Sequence, residues 1–222
     1  MGRLIAIDGL DGSGKGTQSA LIVKALSEKK VPVKSISFPD YDSESSVPVR
    51  LYLGGALGGK PEDTNGYAAS SFFAIDRYIS WRTGWGADYA DGGVIIANRY
   101  TSANAIHQLT KLERSQWDSF LDWLCDFEYK KLGIPSPDMV LFFELLPEYS
   151  MELVRRRCEE TGVKRDIHEM DPEFIYKSYE AAKYAAEKLN WKTIRCFDES
   201  GIRTIEDVFA EAFAAVSDLL AL

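Results

Sequence analysis

Apolar residues along this chain fall into short runs separated by helically spaced pairs, in regular alternation. The runs at 4–7, 33–37, 94–97, 139–143 and 193–196 are too short for helices, and they read as parallel strands buried on both faces. Leu21 with Ala25, and Ile22 with Leu26, repeat at four-residue spacing while Lys24 and Glu28 mark a polar face. That predicts a helix over 15–28. Further helices are predicted over 67–81, 115–129, 149–158, 172–189 and 204–219. The helix at 172 opens on Asp171-Pro172-Glu173: a capping side chain, a first-turn proline, and a carboxylate beside the positive helix end.

Strand–helix alternation implies an α/β fold: a five-stranded parallel sheet with helices on both faces, and ligands at the carboxyl ends of its strands. A length of 222 residues fits a single domain spanning 1–222. Two stretches escape the pattern. Residues 40–65 are rich in Gly, Ser, Pro and Asp and read as a mobile surface stretch with a short helix around 49–53. Residues 159–170 are polar and charged, and loops of this length in a compact domain are often lids.

Directly after the first strand comes Asp8-Gly9-Leu10-Asp11-Gly12-Ser13-Gly14-Lys15-Gly16-Thr17. Glycines let the backbone turn so that successive N–H groups point at one anion. Lys15 adds a charge, and the following helix offers its positive end. Gly9, Gly14 and Lys15 meet the spacing of a phosphate loop, although the hydroxyl residue expected after the lysine is Gly16, with Thr17 one place late. The ligand class is a nucleoside polyphosphate, bound by the loop from Gly9 to Thr17 with Gly12 and Ser13 inside it.

Composition narrows the setting. Net charge is −8, which argues against a nucleic acid polymer as partner. Phosphates must then be met by a few placed cations. Three cysteines without a C-x-x-C pair read as reduced thiols. With no membrane-length apolar run and a strand beginning at Leu4 where a signal peptide would lie, a cytoplasmic protein without membrane partners is expected.

Other residues carry candidate chemistry. Phe73 and Arg77 share a helix face, where a ring can stack on a base and a guanidinium can bond its edge; a core phenylalanine beside a solvated arginine is the alternative. Asn98-Arg99-Tyr100 follows a strand, so Arg99 is positioned to hold a phosphate or to form a structural salt bridge. Asn104 and Gln108 offer amides to a base edge, or are surface helix residues. Arg155, Arg156, Arg157, Lys164 and Arg165 gather cations around the second irregular stretch, as a lid closing on phosphates would need.

Six blocks in order resemble the thymidylate kinase family of P-loop nucleoside monophosphate kinases: I-D-G-L-D-G-S-G-K-G-T-Q from Ile7, F-P-D-Y from Phe38, F-A-I-D-R from Phe73, N-R-Y-T-S-A-N-A from Asn98, P-S-P-D from Pro135 and R-D-I-H-E from Arg165. The resemblance implies a P-loop NTPase-type fold with a lid at about 159–170, ATP with Mg²⁺ as donor, dTMP as acceptor, and a homodimer. It implies that Lys15, Arg99 and Arg165 are catalytic. Asp11 would reach the acceptor sugar or a metal-bound water. Phe73 would stack on thymine, Arg77 would bond its carbonyl edge, and Asn104 or Gln108 would read the rest. Phe38, Pro39, Tyr41 and Arg99 would line the sugar and phosphate. Gly12 stands where some members carry a basic residue, which makes Arg165 the expected substitute. Asn98 stands where an aspartate is usual. His107 and His168 fall where relatives often place tyrosine near the sugar, so looser discrimination between deoxyribose and ribose, or a shifted nucleotide preference, is expected. Kinases of another nucleotide or a deoxynucleoside, and an ATP-binding regulatory protein, are the competing readings.

Overall fold

In the computed structural model, residues 1–162 and 171–222 are described. Five strands, β1 (Arg3–Gly9), β2 (Val33–Ser37), β3 (Val94–Asn98), β4 (Met139–Glu144) and β5 (Lys192–Arg195), form one parallel sheet in the order β2-β3-β1-β4-β5. β1 is central, with Ile5 opposite Ile96 of β3 and Ile7 opposite Leu141 of β4.

Alternation along β1 sends Ile5 and Ile7 to one face and Leu4 and Ala6 to the other, all fully buried. On the first face they pack with Ile22 and Leu26 of α1 (Lys15–Glu28) and with Val208, Ala212 and Val216 of α9 (Ile205–Leu220). On the second face Ile95, Ala97, Phe38, Trp85 and Tyr100 complete the core. Beyond it, α5 (Thr101–Gln108), α6 (Trp117–Cys125) and α8 (Pro172–Lys188) meet through Ala105, Leu109, Phe120, Leu121 and Ala181. The predicted α/β architecture is the one observed.

The elements differ from expectation where polar residues are buried or where helical register shifts. The helix predicted over 67–81 is α3 (Gly66–Ser80), which continues through a π turn at Trp81–Trp85 into α4 (Gly86–Ala90). This extension brings Trp85, 1% exposed, edge-on against Tyr100. The helix predicted over 115–129 is α6 followed by a second π turn at Asp126–Lys131. α7 (Pro147–Thr161) ends at Gly162 in the left-handed region, so positions 159–161, expected in the lid, are helical. The helix α5 and a small hairpin of β6 (Phe197–Asp198) and β7 (Gly201–Ile202) were not expected from apolar spacing.

The stretch 40–65 is not a loose loop. It contains α2 (Val47–Leu53), two residues longer at its start than the predicted short helix, and is tied to the body. Buried Asp76 of α3 accepts the Asp40 N–H at 2.9 Å and the Ser45 hydroxyl. Arg50 donates to the Tyr41 and Ser43 carbonyls, and Lys111 bonds the Tyr52 hydroxyl and the Thr64 carbonyl.

Candidate phosphate and nucleotide site

The carboxyl ends of β1 and β3 lie side by side, and each leads into a residue with an unusual backbone. Gly9, Gly12 and Gly14 all have positive φ, at 152°, 79° and 83°. A Cβ at Gly9 would come within 2.4 Å of the Phe143 carbonyl oxygen, so only glycine passes there. Gly14 precedes α1 with no side chain capping the helix, which leaves its first N–H groups free for an anion. Ser13 lies inside the loop with its buried hydroxyl unpartnered, and Gly16 and Thr17 are exposed on the first turn.

Lys15 is 7% exposed and folds back over this loop. Its ammonium donates to the carbonyls of Gly9 and Leu10 at 3.0 and 2.7 Å and lies 3.5 Å from Asp11 Oδ1. Burial and then the nearby Arg99 charge push its pKa down to about 8, against the pull of Asp11 and Asp8.

Arg99, after β3, has φ 65°, a costly conformation for a side-chain-bearing residue. Its N–H bonds the Ile7 carbonyl at 2.8 Å, and its guanidinium bonds Asp11 and reaches His107 Nε2 at 3.0 Å. Since arginine only donates, that contact needs Nε2 unprotonated. Burial raises the Asp11 pKa, but the charges of Arg99 and Lys15 outweigh it and hold the carboxyl well below the usual range. Asp8, fully buried, accepts the Gly9 N–H at 2.9 Å and the Ser102 hydroxyl at 2.8 Å. It ties the loop to α5, a role that sequence reading did not assign it.

Asp11, Arg99 and His107 border a cavity of about 610 Å³. Its walls include Asp11, Phe38, Pro39, Tyr41, Phe73, Arg77, Asn98, Arg99, Asn104, His107 and Gln108, so the acceptor-side residues predicted within the described chain converge. Phe73 stands edge-on to Tyr52 on this wall. Asn98 donates to Ser37 Oγ at 3.3 Å.

Arg77 is neither solvated nor unattached. It is 1% exposed and pairs in a fork with Glu128, Nε to Oε2 at 2.7 Å and Nη2 to Oε1 at 2.6 Å, with Nη1 donating to the Tyr100 carbonyl at 3.3 Å. Burial alone would weaken its charge, but Glu128 keeps the guanidinium pKa raised. Asn104 is also buried rather than a surface residue. Glu128 was missed because a lone glutamate near the end of a predicted helix reads as a solvated face.

Of the basic cluster, Arg155 pairs with Glu152 and Glu159, and Arg156 with Glu152, on the exposed side of α7. Such pairs on one helix face are solvated, and only Arg157 of the three lines the cavity. Lys164, Arg165 and His168 lie outside the described residues. α7 also bears on the loop directly. Ser150 Oγ donates to the Asp11 carbonyl at 2.6 Å, and a Cβ at Gly12 would lie 3.0 Å from the Ser150 carbonyl oxygen and 3.2 Å from Leu153 Cβ. A larger residue at position 12 would press on α7, which gives Gly12 a packing reason independent of charge.

The sequence matches the family model described as Thymidylate kinase over residues 7–203. A thymidylate kinase of Mycobacterium tuberculosis is 30% identical over 173 residues, covering 77% of this chain and 79% of that protein. A Caenorhabditis elegans thymidylate kinase is 29% identical over 205 residues, 87% of this chain and 82% of that one. A solved thymidylate kinase from Candida albicans matches the fold with a TM-score of 0.70 at 23% identity, covering 98% of this chain and 92% of that one.

The Lys15 environment predicts a pH dependence. If Lys15 meets the donor phosphates as its place in the loop suggests, its pKa of about 8 in the free protein means that the cation is lost as pH rises through 8. The kcat/KM for ATP should therefore fall about tenfold per pH unit above that point, while Lys15→Arg, which stays charged, should give a flat profile. A parent profile flat to pH 10 would contradict this.

Proposed function

The chain belongs to the thymidylate kinase family and is an ATP-dependent nucleoside monophosphate kinase; we propose that it transfers the γ-phosphate of ATP to dTMP, using the loop at Gly9–Thr17 for the donor and the 610 Å³ cavity for the acceptor. The observation that carries this reading is that Asp11 belongs to both halves. It lines the cavity together with Arg99, Phe73, Arg77 and Asn104, is paired with Arg99, and lies 3.5 Å from Lys15 of the loop.

Phosphoryl transfer asks for alignment and charge neutralisation more than for covalent help. On binding, donor phosphates would take the loop N–H groups, the Ser13 hydroxyl and Lys15, drawing the ammonium off the Gly9 and Leu10 carbonyls. The acceptor phosphate would take Arg99 from Asp11, leaving that carboxylate to receive a sugar hydroxyl or a metal-bound water. Arg157 is the described α7 cation that lines the cavity, and Arg165, outside the described residues, is proposed to supply a further positive charge to the reaction. The acceptor phosphate is already an anion at neutral pH, so no side chain has to remove a proton.

Mg²⁺ fits this site as an ion carried by the phosphates. Among the described residues no cluster of ligating side chains surrounds a metal position. Asp8 is engaged by Gly9 and Ser102, Asp11 by Arg99, and Gly16 has no side chain. The ion would neutralise charge on the transferring group while Asp11 and the exposed Thr17 met its waters.

The base edge supports a pyrimidine with a carbonyl. Arg77 has three of its five N–H groups engaged by protein, and those remaining suit a carbonyl oxygen. A second copy of the chain is proposed on α3, where Tyr67, Ile75 and Ile79 are exposed along one face and Tyr67 packs edge-on to Trp123. Among the described residues no helix is long and apolar enough to cross a membrane, and a cytoplasmic location is part of the proposal.

ADP release with dTMP, dUMP, dCMP, dGMP, AMP and no acceptor tests the function. Strong preference for dTMP is expected, and equal release without acceptor would point to an ATP-hydrolysing regulator. Lys15→Ala and Arg99→Ala should each lower kcat by about 10²-fold or more without loss of cooperative unfolding; near-parental turnover removes that residue from the reaction. His107→Tyr should increase the deoxyribo over ribo preference in kcat/KM, whereas an unchanged ratio dismisses His107 as a sugar gate. Sedimentation should give twice the 24.9 kDa chain mass, and a monomer at assay concentration rules out the dimer.

A further inference from the structure

Glu128 is fully buried in a chain whose function assigns it nothing. It lies in the π turn after α6 and touches two separate elements of the acceptor wall. Its oxygens divide the work. Oε2 accepts from Arg77 Nε at 2.7 Å and from Thr101 Oγ1 at 2.8 Å. Oε1 accepts from Arg77 Nη2 at 2.6 Å and from Asn104 Nδ2 at 3.2 Å. A buried carboxylate with both oxygens filled and a cation in a fork is fully compensated.

The consequence for Asn104 is directional. Its amide nitrogen has two protons, and both have protein acceptors, Glu128 Oε1 and the Ser70 carbonyl oxygen at 3.2 Å. With its donors engaged, the polar group Asn104 retains for a ligand is its carbonyl oxygen, an acceptor. The same carboxylate holds Arg77, which can only donate. Arg77 and Asn104 therefore give this wall a donor and an acceptor whose identities cannot be exchanged. A pyrimidine with a 4-carbonyl and a ring N–H at position 3 matches that pair. A cytosine ring, with an amino group and an unprotonated ring nitrogen at those places, opposes it at both.

We propose that Glu128 is a positioning residue that sets acceptor specificity, by locking the Asn104 amide with its oxygen toward the base and the Arg77 fork beside it. This rests on the acceptor base occupying the cavity as proposed above. Discrimination against cytosine nucleotides then originates in a residue that does not touch the nucleotide. An amide at position 128 has one oxygen for two pairs of donors, so one pair must lose its acceptor and the wall loses its fixed polarity.

The test compares kcat/KM for dTMP and dCMP in the parent, Glu128→Gln and Thr101→Val. Glu128→Gln should raise the dCMP to dTMP ratio about tenfold, mainly through a higher KM for dTMP. Thr101→Val removes a donor from the other oxygen and should leave the ratio within about twofold of the parent, even where stability drops; such limits are the scale of a single hydrogen bond. An unchanged ratio in Glu128→Gln overturns the proposal, whereas a parent that does not prefer dTMP over dCMP overturns the base-edge reading beneath it. If Glu128→Gln does not fold, ¹⁵N-labelled parent protein decides the matter. The Asn104 side-chain amide protons should be protected from exchange before dTMP is added and should shift little afterwards. Exposed protons, or a large shift on binding, would mean that the NH₂ group faces the base and would overturn the proposal.

Discussion

Cations that are to meet phosphates have first to be kept charged and in place without them. Taking a charge out of water is costly unless a partner and further hydrogen bonds compensate it. Here Asp11 serves two cations at once, Lys15 at 3.5 Å and Arg99 in direct contact, while Asp8 lies 3.8 Å from Arg99. The partners are internal stand-ins for substrate oxygens. They hold Lys15 and Arg99 at the strand ends, and in the function proposed above phosphates of greater charge would replace them. A pKa of about 8 for Lys15 records the incomplete compensation.

The same logic recurs at the other end of the cavity. Arg77 is more deeply buried than Arg99 and pairs in a fork with Glu128, a fully buried carboxylate that Thr101 and Asn104 also bond. In the proposed reading one end of the site exchanges partners and the other remains fixed. That division suits a kinase, because phosphates must enter and leave while the base edge has to be read the same way in every cycle. The framework behind both is the central strand β1, buried on both faces, whose carboxyl end delivers Asp8 and Gly9 against α5.

Much of this was legible in the sequence, for physical reasons particular to each element. Strands buried on both faces leave unbroken apolar runs, so all five were found in place, and α1 was found with its observed bounds because its apolar pairs start directly after the loop. α5 escaped because it is short and its inward face carries Asn104, His107 and Gln108, polar residues that break the apolar period. The two π turns escaped because one extra residue per turn shifts the pattern that predicts a helix. Among candidate site residues, the glycines and Lys15 stood out through spacing, and Arg99 through its place directly after a strand. Glu128 and Asp8 did not, since a carboxylate shows its purpose only once its donors, distant in sequence, are folded around it.

In the proposed kinase an exchangeable phosphate end, built on Lys15, Asp11 and Arg99, adjoins a fixed base-reading end at Arg77 and Asn104. A crystal structure with dTMP and a non-hydrolysable ATP analogue tests this arrangement most directly. Thymine is expected against Phe73 with its 4-carbonyl on Arg77 and its ring N–H on the Asn104 oxygen, the acceptor phosphate on Arg99, and Lys15 moved from the Gly9 and Leu10 carbonyls to the donor phosphates, with the Arg77–Glu128 fork intact. Thymine bound elsewhere, or Arg77 released from Glu128 to reach the nucleotide, would contradict it.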